Sequence, residues 1–480
     1  MASRKYELSA YTYSRRRTVA AFLRPDGGGS VEDAPKPLRA LVPSVVLGVV
    51  TVAVFGAIGI VKPSAPKDWQ TANAVIVDRQ TTTRYVMLGG VLHPVLNIAS
   101  ARLLLQDKST VVEVDDKVLT SPSVKRGATL GIPYAPDSLP TADEAAAPKT
   151  WAACDRQGDG GVDQKLFVLG RGQEAALNQR LSARQAFYVQ GPDGARFLVD
   201  AGGTAHKLLR GSVSPAAVQA AKQSDDPWAY LATAAFGGTV QRPQPVTKEW
   251  LDALRPGDPI SLQLPNLDGR FGQTVAVPGS GVPNRVGDVF HTSSTGLHYV
   301  VLKDGVHPVS AFTARLLDAL HPGQPEQQVD ALAVAGANER SPYAADLDWP
   351  TAAVEQANTG GVACAVYDGA QTGVGPAKYA LWTGSSYPVA QAASGTAGVY
   401  VTPGTGLLYR AVSGTSTDSG AVDLLTDAGL RYPVPQNGGA QSRLGYGDLK
   451  QPLPVPQAWS ALVPTGPALN PTAAGQPQGS

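Results

Sequence analysis

Apolar residues are distributed along this chain in three regimes. Near the start, Leu8, Tyr11, Val19 and Phe22 recur at helical spacing with Arg15, Arg16 and Arg17 between them, until Pro25 and Gly27-Gly28-Gly29 break the pattern. This predicts an amphipathic helix over about residues 6–24. From Ala40 to Val61 there follow 22 residues without a charge, bounded by Arg39 and Lys62. At a rise of about 1.5 Å per residue, such a run crosses a bilayer as one helix. Beyond Asp68 the chain turns to short alternating strands separated by Gly-containing turns, which supply the positive φ of tight hairpins.

These strands repeat. Tyr85-Val86-Met87-Leu88, Leu92-His93-Pro94-Val95 and Ala101-Arg102-Leu103-Leu104 return as Tyr299-Val300-Val301-Leu302, Val306-His307-Pro308-Val309 and Ala314-Arg315-Leu316-Leu317, 213 to 214 residues later. At similar offsets Pro133-Tyr134-Ala135 answers Pro342-Tyr343-Ala344, Cys154 answers Cys364, and Tyr188-Val189 answers Tyr400-Val401. Lys165 to Gly170 has a looser counterpart in Lys378 to Gly384. Such an offset marks a duplicated structural unit. Two degraded copies of the hairpin follow, Arg196 to His206 and Leu424 to Val434; the second has Arg431-Tyr432 where the others carry histidine. Ser100 and Thr313 stand where N-caps of short following helices are expected.

The division that follows is an arm over 1–39, a membrane span over 40–61, and repeat units over 68–125, 185–245, 257–335 and 391–438. Core segments lie between them at 126–184 and 336–390, and a Pro/Gly/Ala-rich tail at 451–480. The fold class expected is α+β: one N-terminal transmembrane helix, then an elongated periplasmic domain of four small units around a β-rich core, with pseudo-twofold symmetry. The tail's Pro452-Leu453-Pro454-Val455-Pro456 favours an extended strand, packed loosely and disordered at its end.

Charge sets the topology. The flank before the apolar run carries Arg4, Lys5, Arg15, Arg16, Arg17, Arg24, Lys36 and Arg39; the flank after it offers Lys62 and Lys67. The N-terminus is therefore expected in the cytoplasm, with a single pass and the remainder outside. Overall the 40 basic and 39 acidic residues nearly cancel, so nothing points to nucleic acid. The two cysteines, Cys154 and Cys364, both fall on the outer side. There an isolated pair reads as a disulfide, the alternative being two buried thiols. If the halves relate by a twofold, a bond between equivalent residues requires the axis to pass between them. Closing a loop of that length contributes on the order of 5 kcal/mol on the chain-entropy model.

The pattern resembles the EccB family of type VII (ESX) secretion systems. The stretches that carry the resemblance are Ala74-Val75-Ile76-Val77 through Tyr85, Leu92 to Asn97, Ser100 to Leu104, and the arm's Leu8, Tyr11, Arg15-Arg16-Arg17 and Ala20-Ala21-Phe22-Leu23. The resemblance implies a structural subunit of an export complex in the inner membrane. It would work beside an FtsK-like ATPase and other membrane subunits, project four repeats and a disulfide-bonded core into the periplasm, and self-associate there. It also implies peptidoglycan as a partner, and Leu8, Tyr11, Arg15, Arg16, Arg17, Val19 and Phe22 as a partner-binding helix face. The rival for that face is a helix lying on anionic lipid.

Catalytic chemistry has no visible basis. ATPase activity is described for some family members, but no G-x-x-x-x-G-K-[ST] occurs. Gly170-Arg171-Gly172-Gln173-Glu174-Ala175 follows an apolar run as a dinucleotide fingerprint would, yet lacks βαβ surroundings and reads as an ordinary strand-to-helix turn. His291 and His298 have no neighbouring ligand cluster in sequence. Neither cofactor nor metal is expected. The reading is a non-enzymatic secretion scaffold; the alternatives are a periplasmic ATPase or an anchored cell-wall-binding module.

Overall fold

The duplicated hairpins form because their alternating residues give each strand one buried row, while glycines or polar residues take the turns. In the computed structural model, which describes residues 4–23, 43–52, 64–210, 228–265, 267, 270–277, 281–320, 326–335, 337, 340–358, 360–369, 378–390, 398–414 and 419–478, the chain forms two compact units, Met1–Lys67 and Asp68–Ser480.

Within the first unit, Arg4–Leu23 is one helix with an exposed surface. Its apolar residues are not gathered on one side, which corrects the expected amphipathic pattern. At about 100° per residue, Leu8, Tyr11, Val19 and Phe22 do fall on one stripe, but Arg15 falls in its middle, and Tyr6 and Tyr13 lie opposite. Residues 43–52 are helical and exposed; the remainder of the expected span lies outside the described residues. Among the described residues no helix is long and apolar enough to cross a membrane.

The second unit contains four sheets of one topology. In the first, Ala74–Asp78, Arg84–Leu88 and Val91–Val95 make an antiparallel meander. The helix Ile98–Leu104 then crosses over, so that Thr110–Val114 pairs parallel to the first strand. The others follow suit: Gln185–Gln190, Arg196–Asp200 and Thr204–Leu208 with Gln244–Pro245; Val289–Thr292, His298–Leu302 and Gly305–Val309 with Gln327–Val329; Gly406–Val412, Val422–Thr426 and Arg431–Pro433 with Leu453–Pro456. A hairpin alone is marginal in water, and the crossover helix gives each meander an apolar partner. The helix N-caps sit one turn earlier than expected. Asn97 accepts from the Ser100 N–H, and Ser310 from the Thr313 N–H. Ser100 is instead buried, its hydroxyl accepting from the Ile132 N–H at 2.8 Å.

Within the same compact unit a fifth sheet lies between these four repeats, hereafter the first to fourth units in chain order; its strands are ordered Lys378–Gly384, Val362–Asp368, Thr150–Gly158, Gly161–Leu169 and Val399–Val401. It is two hairpins joined edge to edge, with Val362–Asp368 antiparallel to Thr150–Gly158. One face carries Trp151, Ala153, Leu166, Ala363, Ala365 and Tyr367 into a core shared with the second and fourth units, where Trp250 and Trp459 are fully buried. The other face carries Cys154, Phe167, Cys364 and Trp382 against Leu177, Tyr387 and Val389.

Three matches read from sequence shift in register. Pairing makes Leu408 the equivalent of Tyr188, since Tyr188 faces Leu198 and His206 in turn, and Leu408 faces Leu424 and Tyr432. Tyr400 lies instead at the edge of the central sheet. Likewise Lys165 pairs with Cys154 where Trp382, not Lys378, pairs with Cys364. Tyr343 corresponds to Leu130, each donating its N–H to the proline carbonyl of His-Pro, while Tyr134 stands 89% exposed. Insertions between the repeated elements account for all three.

The tail is corrected as well. Beyond Leu453–Pro456 the chain forms the helix Gln457–Ala461, then Thr465 bridges Arg431, and the helix Pro471–Ala474 packs on Ile98–Leu104. Gln478 ends as a strand-like partner of Thr129 and Gly131. Proline-rich composition here marks a pre-set extended strand with buried anchors, Leu453, Val455 and Trp459, rather than a disordered end.

Candidate functional site

The two central hairpins meet along the antiparallel pair Thr150–Gly158 and Val362–Asp368. Cys154 and Cys364 are directly opposed on neighbouring antiparallel strands and form a disulfide across a Cα separation of 4.0 Å. An antiparallel pair has a local twofold at its midpoint, so equivalent cysteines can bond only there. Both side chains are fully buried.

Next to the disulfide, Asp155 is buried, with no ion-pair partner among the described residues. Its carboxylate accepts from the Thr247 N–H at 2.6 Å, the Thr247 hydroxyl at 2.8 Å and the Gln164 amide at 3.0 Å. Burial pushes its pKa up to about 6 despite those donors. Thr247 also caps the helix Lys248–Asp252, so Asp155 ties the central sheet to the second unit. At the far end of the same strand pair, Arg180 holds Asp368 with two nitrogens and Thr150 donates to it at 3.0 Å. Burial opposes the charge there, but the guanidinium keeps the Asp368 carboxyl below its ordinary range.

The Ala-Arg-Leu-Leu motif explains how the halves interlock. Arg102 Nη1 donates to the carbonyl of Leu444 at 2.9 Å, and Arg443 returns a bond to Leu103. Arg315 Nη1 donates to Val354 at 2.7 Å and to Ala235 at 3.4 Å. Each arginine lies over a glycine of positive φ near the end of the opposing helix: Gly445 (φ 98°) and Gly237 (φ 68°). Leu444 lies in the helical turn Ser442–Tyr446 and Ala235 in the last turn of the helix Ala229–Phe236, where carbonyls lack intrahelical donors, and Val354 lies just before the strand Glu355–Gln356; the arginines reach all three carbonyls across the interface. The first unit thereby joins the fourth, and the third joins the second. Nothing in the sequence pattern alone pointed to these glycines.

The histidines of the repeats are consumed structurally. His93 Nδ1 lies 2.9 Å from the Ala128 carbonyl, His206 Nδ1 2.9 Å from Asp258, and His307 Nδ1 2.7 Å from Ser341. Three of the four equivalent rings cover a glycine: His93 over Gly127, His206 over Gly257, Tyr432 over Gly466. His206 is fully buried; burial opposes its charge, but Asp200 and the Asp258 carbonyl raise its pKa above the ordinary value.

Other candidates come out as follows. His291 and His298 are cross-strand partners that share Glu326, at 3.5 and 2.6 Å. Among the described residues no group of three or more His, Cys, Asp or Glu is arranged to hold a metal. Gly170 to Ala175 turns from a strand of the central sheet into the short 3₁₀ segment Gln173–Leu177, and Gly170 rests on the buried Lys149. A strand in an antiparallel hairpin followed by one 3₁₀ turn is not a phosphate cradle. Leu8, Tyr11, Arg15, Arg16, Arg17, Val19 and Phe22 all lie exposed on the arm helix.

Four copies of one unit, clasped in pairs about a disulfide-bonded sheet, define a repeat-built scaffold. A family model described as "Type VII secretion system ESX-1, transport TM domain B" matches residues 1–479, and the chain belongs to that family, EccB. It is 27% identical to the ESX-3 secretion system ATPase EccB3 of Mycobacterium tuberculosis, over 97% of this chain and 88% of that protein. It is 29% identical to the ESX-1 secretion system ATPase EccB1 of Mycolicibacterium smegmatis, over 66% of this chain and 61% of that protein. Among solved structures it resembles the EccB3 dimer from the ESX-3 core complex, with a TM-score of 0.59 and 25% identity over 84% of this chain and all of that one. A chain of the intact ESX-5 inner membrane complex shares the fold, with a TM-score of 0.60 and 22% identity over 100% of this chain and 96% of that one.

Proposed function

We propose that this chain is a structural, non-enzymatic subunit of a type VII secretion complex in the inner membrane. It crosses once through residues 40–61 with its N-terminus in the cytoplasm. The exposed arm residues Leu8, Tyr11, Arg15, Arg16, Arg17, Val19 and Phe22 bind the other membrane subunits, an FtsK-like ATPase among them. The folded unit from Asp68 onward self-associates in the periplasm, where peptidoglycan is a further partner. One observation carries the reading: the recurring residues, histidine, arginine and cysteine alike, are spent on holding the repeats together. That is the economy of a scaffold, in which repeated motifs serve geometry.

The test is to tag the C-terminus, solubilise membranes in mild detergent, and size the purified material with its partners identified by mass spectrometry. A megadalton assembly containing an FtsK-like ATPase is expected. A lone monomer, in a host that expresses those partners, would sink the proposal. ATP turnover by the purified chain above that of a blank would restore the enzymatic reading.

A further inference from the structure

Of the described histidines only His206 is wholly buried. Its Nδ1 lies 2.9 Å from the Asp258 carbonyl, and that oxygen can only accept. Nδ1 therefore carries a hydrogen whatever the charge of the ring. Nε2 is buried with no hydrogen-bond partner among the described residues, and Asp200 Oδ2 lies 3.9 Å from it. A neutral ring turns a lone pair towards that carboxylate. A charged ring turns an N–H towards it instead.

Negative charge gathers around this ring from three elements. Asp200 ends the strand Arg196–Asp200, and its Oδ1 accepts from the Thr204 N–H at 2.8 Å. Asp258 lies on Arg255–Ile260, the strand beside Thr204–Leu208 from which the chain enters the third unit. Asp348 arrives from the segment after the third unit, its Oδ1 3.6 Å from Nδ1. Asp258 and Asp348 bond reciprocally, each main-chain N–H donating to the other's carboxylate, at 2.7 and 3.1 Å. Trp349 Nε1 then donates to the Pro259 carbonyl at 3.2 Å. Arg255 adds positive charge beside Asp200, with its guanidinium over the Tyr379 ring and a bond to the Gly202 carbonyl.

The other units lack this arrangement. The carbonyl that the histidine reaches belongs to Ala128 in the first unit and to Ser341 in the third, so neither brings a carboxylate there. His307 meets one carboxylate, Asp304, and the fourth unit has Tyr432 in the histidine's place.

We infer that His206 is a proton-operated latch at the junction of the second and third units, closed while its imidazole is charged and released when the proton leaves. Deprotonation leaves three carboxylates about a buried neutral ring. The contacts then at risk are those of Asp258 with Asp348 and of Pro259 with Trp349. Burial opposes the charge, but Asp200, the Asp258 carbonyl and Asp348 raise the ring's pKa above its ordinary 6.5. A value raised by folding gives stability that is complete below about pH 6.5 and is lost as pH rises through the folded value. The latch therefore tightens in acid. This goes beyond the scaffold role and stands whether or not the chain joins an export complex; on the periplasmic reading, the latch answers to the pH outside the membrane.

Hydrogen–deuterium exchange of the purified full chain between about pH 5.5 and 9, corrected for the intrinsic pH dependence of exchange, tests the latch. The Asp258 and Asp348 amides are expected to lose protection as pH rises, by up to about tenfold per pH unit for one linked proton. His206→Gln, which keeps a donor for the Asp258 carbonyl without a charge, is expected to abolish that slope. Asp200→Asn keeps an acceptor for the Thr204 N–H and is expected to move the transition to lower pH. Flat protection in the unaltered chain, or a slope that survives in His206→Gln, would overturn the inference. So would an Asp200→Asn transition at the same pH as that of the unaltered chain.

Discussion

Arg102 in the helix of the first unit donates to the carbonyl of Leu444, 342 residues further along, at 2.9 Å. Arg315, its counterpart in the duplicated half, reaches Val354 and Ala235. Replacing either with alanine strands buried carbonyls, a loss of about 1.5–3 kcal/mol for bonds to a charged donor. Arg315→Ala is expected to cost more than Arg102→Ala, because Arg315 Nη1 serves two carbonyls. Denaturant unfolding of the two variants checks the order; equal, negligible losses would count against the clasp.

A second prediction concerns the ring-on-glycine contact. A Cβ at Gly127 would lie 2.2 Å from the His93 ring, and one at Gly466 would lie 2.5 Å from Tyr432, whereas one at Gly160 would meet nothing within 4 Å. Gly127→Ala and Gly466→Ala are expected to destabilise by about 1–3 kcal/mol through overpacking. Gly160→Ala should be near neutral. Thermal melts of the three variants decide.

Asp155 predicts a pH dependence. Its pKa is raised from 3.8 to about 6, so between those values the folded chain binds the extra proton. Stability from this group is therefore greatest below about pH 4, falls as pH rises towards 6, and is constant above. The full fall is on the order of 3 kcal/mol at about 1.36 kcal/mol per pKa unit. Asp155→Asn should remove that slope. Unfolding free energies of both proteins from pH 4 to 7 test it: parallel profiles would refute the assignment.

The C-terminal segment makes a fourth. Ala474 is buried and Gln478 donates to Thr129 and Gly131. Deleting residues 470–480 should loosen the junction of the first and fourth units. The expected sign is faster limited proteolysis around residues 96–105 and 129–132; an unchanged digestion pattern would show that the segment is dispensable.

Much of the architecture was legible because a strand's alternation and a turn's glycine are local. The copies at His93 and His307, the degraded ones at His206 and Tyr432, and the cysteine pair all declared a duplicated fold. The short helices' caps were misplaced by one turn, since Ser100 and Asn97 are both competent caps and only burial against Ile132 chose between them. Composition misjudged the tail, because proline is as much at home in an edge strand as in a disordered end. Register was lost where insertions separated the matches, as with Tyr188 and Tyr400.

By itself, then, the sequence determined the repeat, the helix of the arm, the apolar run and the equivalence of Cys154 with Cys364, all of them properties of residues near one another or of a constant offset. Tertiary structure alone decided that the first unit clasps the fourth and the second the third. It likewise placed Arg102 over Gly445 and Arg315 over Gly237, and buried Asp155 against Thr247 and Gln164. Those contacts join residues at changing separations through backbone carbonyls and glycine surfaces, which carry no side-chain signature for a pattern to reveal.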